Sequence, residues 1–383
     1  MSAINRVSAE LKGDKVIWSI VAILAMFSIW AVYSSASTVA FQNKGGNTEY
    51  YLIKQILVLI LGLFITYVCH LIHYKRFNTW APYMLAVVVP LLVFTLLFGV
   101  RINDASRWIM VPGIGITFQT SDLAKLAIIT YVARSISAKQ DYIEDFQSAF
   151  VPIILPIIVV FLLVAPADLS TASVIFVTGM IMMFVGRVAL KYIFLLIFCG
   201  IVSFAALIVL SKTTNFGGRV DTWTARLSNF FGGGEVKEYE QVKLAKMAIA
   251  KGGLIGNGPG NSIQKNYLPM AYTDYIYAVV IEEYGLIGAS LLMILFLMLF
   301  FRVVRLVTIG EKTFPAMLAM GLVVLLLIQA LANMAVAVNL VPVMGLPMPM
   351  VSMGGTSLLF SCAALGMILS VSKHIESARE QED

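Results

Sequence analysis

Residues 16–36 read VIWSIVAILAMFSIWAVYSSA, an uncharged and almost wholly apolar run that follows a charged segment ending at Lys15. A helix rises about 1.5 Å per residue, so about 20 such residues cross the hydrocarbon core of a bilayer. A single run of this kind would also suit a buried core helix, so its recurrence decides the matter. Comparable runs lie at roughly 52–72, 80–99, 150–165, 171–187, 190–210, 286–303, 314–336 and 352–372. The stretch 121–135, SDLAKLAIITYVARS, is shorter and opens on charge, and it brings the count to about ten. The 383 residues are 60% hydrophobic and only 13% charged, against about 25% charged in a soluble domain. One globular core could not hide that much apolar surface. We therefore expect an all-α, polytopic membrane protein of about ten transmembrane helices. With no internal repeat or low-complexity segment, a single domain over 1–383 is expected. The run after Lys15 spans and lacks a small-residue cleavage site, so it reads as the first span rather than a removable signal.

Lysine and arginine counts orient the spans. With the N-terminus inside, the inner loops collect fourteen of them, from Arg6 to Arg379, and the short outer loops only Lys44, Arg101 and Arg107. Both termini then fall in the cytoplasm, and one large extracytoplasmic loop covers about 211–285. Cys69, Cys199 and Cys362 all lie in apolar runs, which argues against a disulfide framework or metal cluster. His70, His73 and His374 show no metal-ligand spacing. The net charge of +6 is spread over loops, which suits anionic lipid headgroups and not nucleic acid.

A loop of this length within a compact membrane protein points to function. It opens on KTTNFGGRVDTWTARLSNFFGGG, which carries Arg219 and Arg226. In the following EYEQVKLAKMAIAKGG, Val242, Ala245, Met247, Ala248 and Ile249 alternate with lysines at helical spacing, as in an amphipathic helix lying on the membrane surface. GGLIGNGPGNSIQK then supplies glycines that permit positive φ, suited to cradling a phosphate or to a flexible connector. Finally NYLPMAYTDYIYAVVIEEYGLIG sets Asp274 among Tyr272, Tyr275 and Tyr277, with a short helix running to about Glu283 before the next span. Asp274 is a candidate either for chemistry or for the helix N-terminus. Glu282 and Glu283 are adjacent, so at 100° per residue one is expected to point to water.

Charges in membrane spans are costly and tend to mark function. Asp122 and Lys125, three positions apart, share a helix face and can pair, or Lys125 can meet an anionic headgroup. Arg107, just before that helix, could act likewise. Asp168, in APADLSTAS, either caps the following helix or lines the same cavity. NLVPVMGLPMPMVSMGGTSLL, from 339 to 359, carries prolines and glycines but no charge. It is expected to form a broken element, tolerated at membrane depth only inside protein or beside water.

Taken in order, these stretches resemble the SEDS family, whose best-known members are FtsW and RodA. The most specific part is GGLIGNGPGNSIQKNYLPMAYTDYIYAVVIEEYGLIG; RWI at 107–109, QTSDLAK at 119–125 and GLPMPMVSMGGTS at 345–357 add weaker matches. The resemblance implies a peptidoglycan glycosyltransferase that polymerises lipid II into a glycan strand. It implies a class B penicillin-binding protein that crosslinks the product, and other divisome membrane proteins as partners. It places the essential aspartate on Asp274 and the cavity acid and lysine on Asp122 and Lys125, with Asp where the family more often has Glu. Near 168 the family's common Q-P-D-x-G is altered, with Ser170 at the glycine position. SMGGTS is closer to FtsW-type than to RodA-type members, which favours the division septum over elongation.

The chemistry is consistent with a single carboxylate. A pyrophosphate leaves as an anion without an acid's help, so one general base and cationic stabilisation suffice. Asp274 would be that base, weakly basic if it sits at a helix N-terminus. Lys125, Arg107, Arg219 and Arg226 are the cationic candidates, with Mg2+ or Mn2+ as a further one and no organic cofactor expected. A lipid II flippase or transporter is the rival reading. Its sites lie near the midplane, however, and it has no need of a motif-dense loop on one side.

Overall fold

A computed structural model describes residues 13–36, 48–102, 105–110, 117–214, 226, 230, 240–268, 270–310 and 312–379. Ten apolar helices run through it: α1 (Lys15–Ser35), α2 (Thr48–Leu71), α3 (Tyr74–Phe98), α4 (Thr120–Ala138), α5 (Val151–Val164), α6 (Leu169–Val185), α7 (Leu190–Thr214), α9 (Ile276–Ile309), α10 (Thr313–Ala337) and α11 (Thr356–Arg379). Between α7 and α9 lies one shorter amphipathic helix, α8 (Glu240–Gly252). Seven helices are long and apolar enough to cross a membrane by length and composition, and α6 and α7 provide shorter apolar stretches. The protein is thus a polytopic helical membrane protein. By the charge asymmetry of the loops, the start of α1 and the end of α11 face the cytoplasm.

The apolar runs become helices because a bilayer leaves no other way to satisfy the backbone of a lone segment. Where helices approach closely, small residues sit at the contact. A Cβ on Gly62 of α2 would lie 2.6 Å from Cys362 Sγ of α11, and one on Gly366 would lie 2.5 Å from the Thr66 carbonyl. Thr66 Oγ1 donates to the Cys362 carbonyl across the same seam, so Cys362 is a packing residue. At the cytoplasmic end Asp14 caps α1 by accepting from the Val16 and Ile17 amides. It also receives Arg302 Nε of α9 at 2.5 Å and donates its own amide to Ser372 Oγ of α11, tying three helices together. α4 is almost wholly enclosed by α3, α5, α6 and α10, so its charged first turn lies inside the bundle.

Four expectations change. The segment between α3 and α4 is a three-stranded antiparallel sheet: β1 (Val100–Ile102), β2 (Ala105–Met110) and β3 (Thr117–Gln119), in the order β1-β2-β3. Trp108 pairs with Gln119, so the sheet delivers the chain directly into α4. Helix α8 does not lie on the membrane by its apolar face. Val242, Ala245, Ala248 and Gly252 are buried, the helix packs on α9, and Met247 is left exposed with the lysines.

The glycine-rich loop is neither a phosphate cradle nor a loose connector. Its backbone is spent on α9: Asn257 and Gly258 donate to the Glu282 and Glu283 carbonyls, and Leu286 and Ile287 donate back to Gly253 and Leu254. A Cβ on Gly252 would sit 2.1 Å from the Ile281 carbonyl and one on Gly256 2.3 Å from that of Glu283, so only glycine admits the approach. α9 itself breaks at Gly285, with φ 66° and ψ −169°, which separates the short helix expected before the span from the span itself. Lastly, neither glutamate points to water. Glu282 accepts from Ser262 Oγ and the Ile263 and Gln264 amides, and Glu283 accepts from Ser34 Oγ, the Ser262 amide and Lys265 Nζ.

Candidate functional site

Asp274 lies within a turn at residues 270–275 that leads into α9. It does not cap that helix, because Tyr275 occupies the cap position without a side-chain cap bond. The neighbouring backbone is instead held from below. Asn333 Nδ2 of α10 donates to the Asp274, Thr273 and Leu346 carbonyls at 3.0, 3.4 and 2.8 Å. Ser352 Oγ donates to the Thr273 carbonyl at 2.7 Å, and the Met353 amide to that of Tyr272 at 2.9 Å. Those partners come from 338–355, which is non-helical as expected and places Leu346, Met348, Met350 and Val351 inside the protein. A Cβ on Gly345 would lie 3.5 Å from Asp274 Oδ2, so this glycine borders the carboxylate.

The charges around Asp274 come from three other parts of the chain. Its pKa is raised to about 6: burial is the largest cause and Asp168 adds to it, while Arg107, the Thr273 hydroxyl and Arg226 pull the other way. Asp274 is therefore a stronger base than an ordinary carboxylate, chiefly because it is desolvated. Asp168 caps α6 and also pairs with Arg107. Its Oδ1 accepts the Thr171 amide at the start of α6 at 3.1 Å, and its Oδ2 meets Arg107 Nη1 at 3.4 Å. Arg107, carried by β2, also donates Nε to the Ala167 carbonyl at 2.7 Å. Arg226 Nη1 donates to the Val343 carbonyl at 3.2 Å, beside Gly345. Burial likewise raises Tyr272, with Tyr51 and Asp274 adding to it.

Of the residues singled out in the sequence, Asp274, Asp168, Arg107 and Arg226 thus share one electrostatic environment. Asp122 and Lys125 pair with each other at 2.6 Å, both buried in the first turns of α4, while Asp122 Oδ2 has no hydrogen-bond partner. Lys125 is not among the main charges acting on Asp274. Arg219 lies outside the described residues. Among the described residues no three His, Cys, Asp or Glu side chains converge as a metal site. Both Asp168 oxygens are already engaged, so among the described residues none is set out as a resident metal centre. Sequence reading missed Asn333 and Ser352. A lone asparagine in the apolar run 314–336 was the available signal, since a polar side chain there must find partners.

The FtsW/RodA/SpoVE family, described as cell cycle proteins, matches residues 14–377. The chain is 33% identical over 374 residues to the probable peptidoglycan glycosyltransferase FtsW of Geobacter sulfurreducens, covering 95% of this chain and 96% of that one. It is 30% identical to the stage V sporulation protein E of Bacillus subtilis, covering 94% and 97%. Its fold resembles a chain from a peptidoglycan synthase complex that couples polymerization and crosslinking, with TM-score 0.75, 23% identity and 95% and 98% coverage. It also resembles the rod shape determining protein RodA of Thermus thermophilus, with TM-score 0.66, 22% identity and 94% and 96% coverage. From its first capped span to its last helix, this chain belongs to the FtsW/RodA/SpoVE family.

Proposed function

We propose that this protein is a peptidoglycan glycosyltransferase that polymerises lipid II into glycan strands at the outer face of the cytoplasmic membrane during cell division. The observation that carries the proposal is the environment of Asp274, a carboxylate that burial raises to about 6 and on which the charges of Arg107 and Arg226 act. A base in that range is ionised at neutral pH yet basic enough to accept a proton as a bond forms. Asp274 takes the proton of the acceptor GlcNAc 4-hydroxyl while its oxygen bonds to the anomeric carbon of the donor sugar. The bond from that carbon to the lipid pyrophosphate breaks, and the pyrophosphate departs with the electron pair. Arg107 and Arg226 receive that negative charge. Lys125, neutralised by Asp122, acts deeper in the bundle on the lipid-linked headgroup. Arg219 belongs to the same set of candidate cations.

Mg2+ or Mn2+ enters this proposal only as an ion carried in by the pyrophosphate, and no step depends on it. The partners are a class B penicillin-binding protein, which crosslinks the nascent strand, and other divisome membrane proteins at the septum. The test is polymerisation of labelled lipid II by purified protein with its transpeptidase partner. We expect Asp274→Asn to lower the rate by roughly 100-fold to 10,000-fold, the usual worth of a general base. Chains made at the wild-type rate by Asp274→Asn would sink the assignment, and lipid II transport without polymerisation would favour a flippase.

A further inference from the structure

At the cytoplasmic ends of α3, α4 and α10, opposite Asn333 along α10, lies an open cavity of about 720 Å³. It is lined by Lys75, Asn78, Thr79, Ser137, Lys312 and Thr313, over a floor that includes Tyr74 and Phe314. None of these residues belongs to the site around Asp274. Lys75, Arg76 and Lys312 form no ion pair among the described residues. The field they make is visible at His73, just before α3: burial lowers its pKa, and His374, Lys75, Lys312 and Arg76 all push the same way. The rest of the lining consists of hydroxyls and an amide, groups that hydrogen-bond phosphate oxygens. Asn78 is fixed from behind, with Arg134 Nη1 donating to its carbonyl at 2.5 Å. The chemistry is that of a site for a phosphate anion.

The rim indicates where that phosphate comes from. Lys75, Thr79, Tyr83 and Val87 follow one another at four-residue spacing, so they form one ridge along α3 from the cavity toward the membrane interior. Tyr83 and Val87 are 69% and 63% exposed. An acyl chain could lie along that ridge while its headgroup occupies the cavity, whereas a soluble phosphate would make no use of it. We propose that the cavity between the cytoplasmic ends of α3, α4 and α10 binds the headgroup of an anionic phospholipid, with Lys75 and Lys312 holding the phosphate and the Tyr83–Val87 ridge receiving an acyl chain.

Native mass spectrometry of the purified full chain, with phosphatidylglycerol or phosphatidylcholine added, tests this. Phosphatidylglycerol is retained in preference to phosphatidylcholine. Lys75→Gln combined with Lys312→Gln weakens its retention roughly tenfold or more, the worth of two charges near an anionic headgroup. Both lysines are exposed, so the variant is expected to fold, and an unchanged melting temperature without lipid verifies it. Lys139→Gln combined with Lys191→Gln removes two other cytoplasmic cations and leaves retention unchanged. Equal retention by the cavity variant and the wild type, or equal loss in the control pair, overturns the proposal. Displacement of phosphatidylglycerol by millimolar inorganic phosphate would assign the site to a soluble anion and overturn the lipid assignment.

Discussion

Asp274 and the pair Glu282–Glu283 lie on the same short stretch of chain, and the fold treats them in opposite ways. The glutamates are buried and engaged: Glu282 accepts through both oxygens from three donors of residues 262–264, and Glu283 Oε1 accepts from Ser34, the Ser262 amide and Lys265. Asp274 keeps only the Thr273 hydroxyl close by and meets its arginines as neighbouring charges, with a glycine beside its free oxygen. A carboxylate that accepts from several buried donors holds structure together, because removing it orphans them. One that is desolvated but left short of partners is held in a costly state, the usual condition of a group kept for chemistry. The difference separates two roles that sequence motif density alone would merge.

The largest effect tests the structural half of that contrast. Glu282→Ala would leave the Ser262 hydroxyl and the Ile263 and Gln264 amides without a partner in a buried site, at a cost of about 3 kcal/mol or more. The glycine-rich loop is braced on the same turn of α9, so the lesion should release it as well. We expect poor recovery of folded protein, seen as a low melting temperature and early proteolysis between α8 and α9.

Asp274→Asn should move stability the other way. The folded pKa, about 6, lies above the ordinary 3.8, so this group's contribution to stability is complete below pH 4 and is lost as the pH rises through 6. At pH 7.5 the asparagine variant should therefore be more stable than the wild type, by about 1 to 3 kcal/mol. The gain should shrink as the pH falls below 6. Thermal melts in detergent at pH 7.5 and pH 5 check both statements, and a variant less stable than the wild type at pH 7.5 would contradict the claim that Asp274 is held in a costly state.

Much of the fold was legible because a bilayer imposes a length and a composition on each span. The ten runs, the break before the last span and the separate short helix ahead of Gly285 could all be read from apolar length and from glycine and proline placement. The small sheet escaped notice, although Asn103-Asp104 and Pro112-Gly113 are turn dipeptides flanking a segment rich in β-branched and aromatic residues. Glycine content announced positive φ and close approach in residues 252–260, but composition does not say whether the approaching partner is a ligand or another backbone. Helical periodicity misled at Glu282 and Glu283, since it assumed one cavity on one face while donors come from Ser34 and from 262–265 on different sides. Asp274 could be named from its motif. Its basicity could not, because Asp168, Arg107 and Arg226 are distant in sequence and meet it only through the packing of β2, the start of α6 and the contact of Arg226 with the Val343 carbonyl.

That convergence yields the smallest and most specific prediction. If Asp274 works as a base, polymerisation should rise with pH through a single ionisation near 6, since the carboxylate must be unprotonated to accept the proton. Asp168 pushes that ionisation upward, so Asp168→Asn should move the limb to lower pH, by about half a unit to one unit for loss of one nearby like charge. Asparagine is itself a good helix cap and can still accept from the Thr171 amide, so α6 should keep its start. It also frees Arg107 from its ion pair, which acts on Asp274 in the same direction. In the same assay Arg107→Gln should move the limb upward, because it removes a cation that favours the charged form. Rate profiles of the two variants displaced in the same direction, or not displaced at all, would detach Asp168 and Arg107 from Asp274 and reduce their ion pair to a tether between β2 and α6.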